Sequence, residues 1–83
     1  MTFELYTQVS LARDIPDDGL RKGDIATVVD RHPSPEPGGE EGYSLEVFNA
    51  LGETIVVTVV SASAIESLRQ DQVFSVRSLA KIA

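Results

Sequence analysis

The run Thr54-Ile55-Val56-Val57-Thr58-Val59-Val60 constrains this chain more than any other segment. Read as a strand, it is apolar on both of its faces. Ile55, Val57 and Val59 fall on one face, and Val56 and Val60 on the other. Such a strand is covered on both sides or pairs at an interface. The chain has 83 residues, which is one domain. A domain of this size buries only about 60% of its unfolded surface, so its core is thin. The second cover for this strand must then come from the rest of the chain, from a second copy or from a partner protein.

The other segments also read as short strands. Phe3, Leu5, Thr7, Val9 and Leu11 alternate with Glu4, Tyr6, Gln8 and Ser10, the period of a half-buried strand. A turn-rich stretch follows from Asp14 to Gly19, and Leu20 is a lone apolar residue expected to tuck back over the core. Ile25 to Val29 is β-branched and strand-like. From His32 to Gly42 three prolines and three glycines exclude a ladder or a helix, so this is a surface loop. Tyr43 to Phe48 alternates again, with Tyr43, Leu45 and Val47 inward. Asn49 to Glu53 is a hairpin loop in which Gly52 supplies a positive φ. After Val60, Ser61 or Ser63 can cap a single helical turn, with Glu66 placed three after Ser63 as in a capping box. Alternation over Val73–Leu79 predicts a last strand, and Phe74, Val76 and Ile82 are the row in the chain best placed to cover the fourth strand.

This order predicts an all-β fold, a small SH3-like barrel of five to six short antiparallel strands with one short 3-10 turn. Closure removes the exposed edges that such apolar strands would leave. The barrel is expected over residues 1–69. Residues 70–83 form a C-terminal segment, an added strand that packs on the barrel or on a partner. Leu5, Val9, Leu11, Val28, Leu45 and Val47 are the expected core.

Two stretches resemble a small bacterial family, the domain of unknown function 4926. One is Leu5-Tyr6, Val9 and Leu11-Ala12-Arg13-Asp14-Ile15-Pro16, continued by Gly19-Leu20-Arg21-Lys22-Gly23-Asp24 and Ile25 to Asp30. The other is Gly52-Glu53-Thr54, Val57-Thr58-Val59 and Leu68. The Asp-Ile-Pro, Gly-Leu and Gly-Asp spacing is the most specific part. The chain departs from the pattern at Ala26, where glycine is common, and in its longer Pro/Gly loop. The resemblance implies a small β-barrel and no catalytic residues. Because some members are encoded near candidate toxin proteins, it also implies an antitoxin-like or accessory role.

Charge and side-chain chemistry narrow the function. The formal net charge is −6. Residues 31–66 set Arg31 against six glutamates, and only the stretch from 67 onward is net basic, through Arg69, Arg77 and Lys81. An acidic surface repels phosphate backbones, so nucleic acid is not an expected partner. With no cysteine there is no disulfide, no thiolate metal site and no thiol nucleophile. No apolar run approaches the ~20 residues of a membrane span, so the chain reads as cytoplasmic, with no membrane partner. His32 is the single imidazole and sits at the mouth of the loop beside Pro33, without an obvious orienting partner. Asp17, Asp18, Glu36, Glu40 and Glu41 are candidate oxygen ligands but lack EF-hand spacing. Gly38, Gly39 and Gly42 fit no phosphate-binding pattern. The expectation is therefore no enzyme, no cofactor and no metal.

The reading is a non-enzymatic protein–protein interaction module, an antitoxin-like or accessory subunit. Its partner is another protein, favoured if basic, or a second copy. The contact surface is expected at Ile55, Val57, Val59, Phe74 and Val76, rimmed by Asp17, Asp18, Glu40 and Glu41. The alternative is a small-ligand, metal-binding or catalytic protein that uses the acidic loops.

Overall fold

The computed structural model describes residues 2–79. The described residues form five strands: β1 (Gln8–Leu11), β2 (Ile25–His32), β3 (Gly42–Phe48), β4 (Thr54–Ser61) and β5 (Ile65–Ser67). Two 3-10 turns, Pro16–Asp18 and Ala62–Ala64, complete the regular structure. The strands form one antiparallel sheet in the order β4-β3-β2-β1-β5. The all-β expectation holds, with five strands. The sheet is open: β4 and β5 are its two edges and do not pair with each other.

The core lies on the face where the strand parities agree. Val28 stands opposite Leu45, Tyr43 opposite Val60, Val9 opposite Ala26 and Leu11 opposite Ile65. All eight of these residues are buried, as are Val47, Ala64 and Leu20. Leu20 reaches the core as expected. Gly19, at φ 70, turns the chain after Pro16–Asp18 and lets Leu20 pair back with Ile15. Gly52 takes φ 87 in the β3–β4 hairpin, where the Asn49 side chain accepts the amides of Leu51 and Glu53.

Three local expectations are corrected. The first strand begins at Gln8 rather than Phe3, because Tyr6 takes a left-handed φ of 64. Around it the Thr7 hydroxyl donates to the Glu4 carbonyl, the Tyr6 amide donates to the Val28 carbonyl, and the Val28 amide donates to the Thr7 carbonyl. The kink breaks the alternation, and Leu5 is 45% exposed rather than part of the core. The capping box does not form. The turn after β4 ends at Ala64 and Ile65 is already extended, so Glu66 lies in β5. The Glu40 carboxylate instead accepts both the amide and the hydroxyl of Ser63, at 2.9 and 3.2 Å. Finally, Val73–Leu79 is not a strand.

That last segment follows a turn at Arg69–Gln72 and runs past the start of β2 and the end of β3. Arg77 tethers it. The guanidinium grips both carboxylate oxygens of Asp24, with Nε at 2.8 Å from Oδ1, and Nη2 also donates to the Gly19 carbonyl. Leu79 packs against the core, whereas Val73, Phe74 and Val76 stay exposed. The segment alternates but pairs with no strand, and it forms a strap held by Arg77 rather than a ladder. Ile82 and Lys81 lie outside the described residues.

Two outcomes follow from this packing. Leu45→Ala should lower unfolding stability by about 2–5 kcal/mol in chemical denaturation, because a fully buried side chain leaves a cavity. A loss under ~1 kcal/mol would mean that the core is not centred on β3. Burial pushes the Asp24 carboxyl up, but the hydrogen bonds from Arg77 and the Arg21 amide, with the charges of both arginines, hold it below its ordinary 3.8. Its contribution is therefore full above 3.8 and is lost as pH falls through the lower folded value. The stability gap between wild type and Asp24→Asn should be widest near neutrality and close on acidification below 3.8. A gap independent of pH would contradict the tether.

Candidate interaction surface

Among the described residues, β4 is paired on one side only. Its partner β3 sets Val57 opposite Glu46, Thr58 opposite Leu45 and Val59 opposite Ser44. Directly opposed residues share a face, so Val57, Val59, Ser44 and Glu46 stand on the outer face, away from the core. Val57 is 65% and Val59 62% exposed. The ladder shifts at the hairpin end, where Val47 meets Val56 and Phe48 meets Thr54. Ile55 is the extra residue, as in a β-bulge, and it packs against the core. The expected row Ile55, Val57, Val59 is therefore divided, and two valines remain as the exposed outer pair.

The C-terminal strap does not lie over this pair. It borders a cavity of about 600 Å³ lined by Ile25, Val47, Phe48, Ile55, Phe74 and Leu79, among others, and neither Val57 nor Val59 lines it. Phe74 and Val76 thus meet Ile55 at this cavity and stand apart from the outer valines. Two separate apolar features result: the edge and outer face of β4, and the cavity beside the strap.

The acidic residues expected to rim the surface lie in two separate loops. Asp17 and Asp18 lie in the first 3-10 turn, Asp17 exposed and Asp18 half-buried. Glu40 caps the second turn through Ser63. Glu41 is held by two neighbours. Arg31 donates to Oε1, and the Tyr43 hydroxyl donates to Oε2 at 2.6 Å. The hydrogen bond from Arg31, then that from Tyr43, keeps the Glu41 carboxyl below the usual carboxylate range. Burial, and then the bond to Glu41, push the Tyr43 phenol up. Proximity in sequence could not show the pairing of Glu40, because Ser63 lies 23 residues away.

His32 and Ser44 share a hydrogen bond of 2.7 Å on the outer face. No other described side chain bonds the imidazole. Among the described residues no three or more His, Asp or Glu side chains converge to hold a metal ion. Of the basic residues near the C-terminus, Arg69 pairs with Asp71 and Arg77 with Asp24. No helix among the described residues is long and apolar enough to cross a membrane.

The Gly23 and Asp24 that precede β2, the Ile15-Pro16 turn and the β3–β4 hairpin all fall within one recognisable sequence pattern. No curated protein and no solved structure matches the chain. The family described as Domain of unknown function (DUF4926) matches it over residues 5–73, from the kink before β1 into the strap, and the chain belongs to that family.

Proposed function

We propose that this domain is a non-enzymatic protein–protein interaction module on an SH3-like scaffold, serving as an antitoxin-like or accessory subunit. The strand order supports the scaffold. A five-stranded antiparallel sheet ordered β4-β3-β2-β1-β5, with a long loop after β1 and a single 3-10 turn before β5, has the wiring of an SH3-like fold opened between β4 and β5. A chain without cysteine fits a reducing, cytoplasmic setting.

One observation carries the functional reading: β4 is an edge strand with two exposed valines on its outer face and no part of the described chain over them. An exposed apolar edge is an association site, because its unpaired backbone groups and its side chains are both satisfied by another strand. The net charge of −6 adds a preference among protein partners, favouring basic ones through faster steered encounter. Of the four acidic loop residues, Glu40 and Glu41 already hold partners within the chain, which leaves Asp17 and Asp18 to contribute. Those internal pairings weigh against the alternative of a small-ligand or metal site built from the acidic loops.

The test compares wild type with a folded Val57→Asp, Phe74→Asp double variant, by molar mass in solution and by the cellular proteins each retains. Wild type should associate, with itself or with a retained protein. The variant should lose that association at least about tenfold, because it buries unpaired carboxylates. A strictly monomeric wild type, together with a variant that retains the same proteins, would sink the proposal.

A further inference from the structure

Resting on the reading of β4 as an association edge, we infer that the occupant of that edge is a second copy of this chain. The two β4 strands run antiparallel about a twofold axis at Thr58.

The free edge is real in backbone terms. Among the described residues, none of the backbone hydrogen bonds made outside the strand ladders and the 3-10 turns uses a group from Thr54–Ser61. The strand also lacks the usual devices that blunt an edge. Its eight residues include no charge and no proline, and all but Ser61 are β-branched. The opposite edge differs: β5 has three residues and presents an exposed Glu66. The bulge is confined to Ile55, so the ladder from Val56 to Ser61 is regular and can template a partner.

The register follows from side-chain parity. Directly opposed residues must share a face, so a twofold axis between identical strands passes through a residue rather than between two. An axis at Thr58 pairs Val57 with Val59 of the partner copy, Val56 with Val60, and Thr58 with its own counterpart. The outer face then gains a cluster of four valines, and the Thr–Thr pair is itself a favourable cross-strand contact. An axis at Val57 would draw Ile55 and Thr54, which the bulge displaces, into the ladder. An axis at Val59 would place Val56 opposite Ala62, which has left the strand for the 3-10 turn. Thr58 alone centres the regular segment.

Charge favours a second copy on this edge over a cationic segment. β4 offers no carboxylate to pair with a lysine or arginine. The nearest outer-face carboxylate, Glu46, lies one strand inward and is taken by the Thr54 hydroxyl. Its counterpart in a second copy would be three strand spacings away, at least ~14 Å, beyond a Debye length of ~8 Å at physiological salt. The overall charge of −6 on each copy still opposes association. Raising the salt should therefore strengthen the dimer, the reverse of binding to a basic partner. A contact confined to one strand edge is below the ~800 Å² per partner of standard stable interfaces, so the dimer is weak and concentration-dependent.

The chain has no cysteine, so introduced thiols report alone. Val57→Cys and Val59→Cys, each checked for unchanged folding, are oxidised separately and as an equal mixture. Opposed residues lie within the ~4.4–6.8 Å between Cα atoms that a disulfide spans. The mixture should therefore cross-link at least about fivefold faster than either variant alone. Wild type should approach twice the monomer mass in sedimentation as concentration and salt rise, and Val57→Asp should remain monomeric. Self-cross-linking of Val57→Cys as fast as the mixture would overturn the register. A wild type that is monomeric at all concentrations would overturn the inference. In that case, loss of a retained protein on Val57→Asp leaves β4 an association edge for another partner, and no effect of Val57→Asp removes both readings.

Discussion

A phenol buried in a sheet cannot leave its hydroxyl unpaired without a cost of about 1–3 kcal/mol, and that of Tyr43 finds one partner forty residues away in sequence and the other two residues before it. It accepts the Phe3 amide at 3.0 Å and donates to Glu41 at 2.6 Å. Glu41 in turn holds Arg31, the residue opposite Tyr43 across the β2–β3 ladder. The Phe3 ring meets the Tyr43 ring edge-on, with centroids 5.4 Å apart, a geometry that aromatic quadrupoles favour. One side chain thus docks the N-terminal residues, closes the Pro/Gly loop at its return end and locks two central strands in register.

The far end of the sheet depends on the same knot. The backbone carbonyl of Glu41 accepts the Ala62 amide, and the neighbouring Glu40 caps the 3-10 turn that carries the chain from β4 to β5. These contacts fix the end of β4 and send the chain away from it to the opposite edge of the sheet. The Asp24–Arg77 pair then holds the strap at the start of β2, away from the outer face of β4. Glu40, Glu41 and Asp24 are therefore committed to internal order. The strand left at the edge has no charge of its own, which is the physical basis for reading it as a place of association.

How much of this was legible in the sequence depends on the range of the interaction concerned. The parity of Tyr43–Phe48, the strand at 54–60, the Gly52 turn and the return of Leu20 all rest on local preferences and emerged as expected. Leu5 did not, because a left-handed Tyr6 has no reliable local signal and cuts Leu5 off from the face that Val9 and Leu11 keep. The alternation at 73–79 looked like a strand, but a strand needs a free edge beside it, and the Arg77 tether leads the segment elsewhere. The exposure of Val57 and Val59 followed from the excess of apolar faces over available cover. The diversion of Ile55 into a bulge, and the capture of Glu40 by Ser63 and of Glu41 by Arg31, could be seen only once the chain was folded.

The openness of β4 is tested most directly by amide hydrogen exchange of Thr54–Ser61 at increasing protein concentration. In dilute solution alternate amides, those that point away from β3, should exchange quickly while their neighbours in the β3–β4 ladder are protected. As concentration rises, protection should spread to the outward amides of β4 and not to β5. Outward β4 amides already protected at high dilution would mean that the edge is covered within one chain. Amides that stay unprotected at every concentration would contradict pairing between copies.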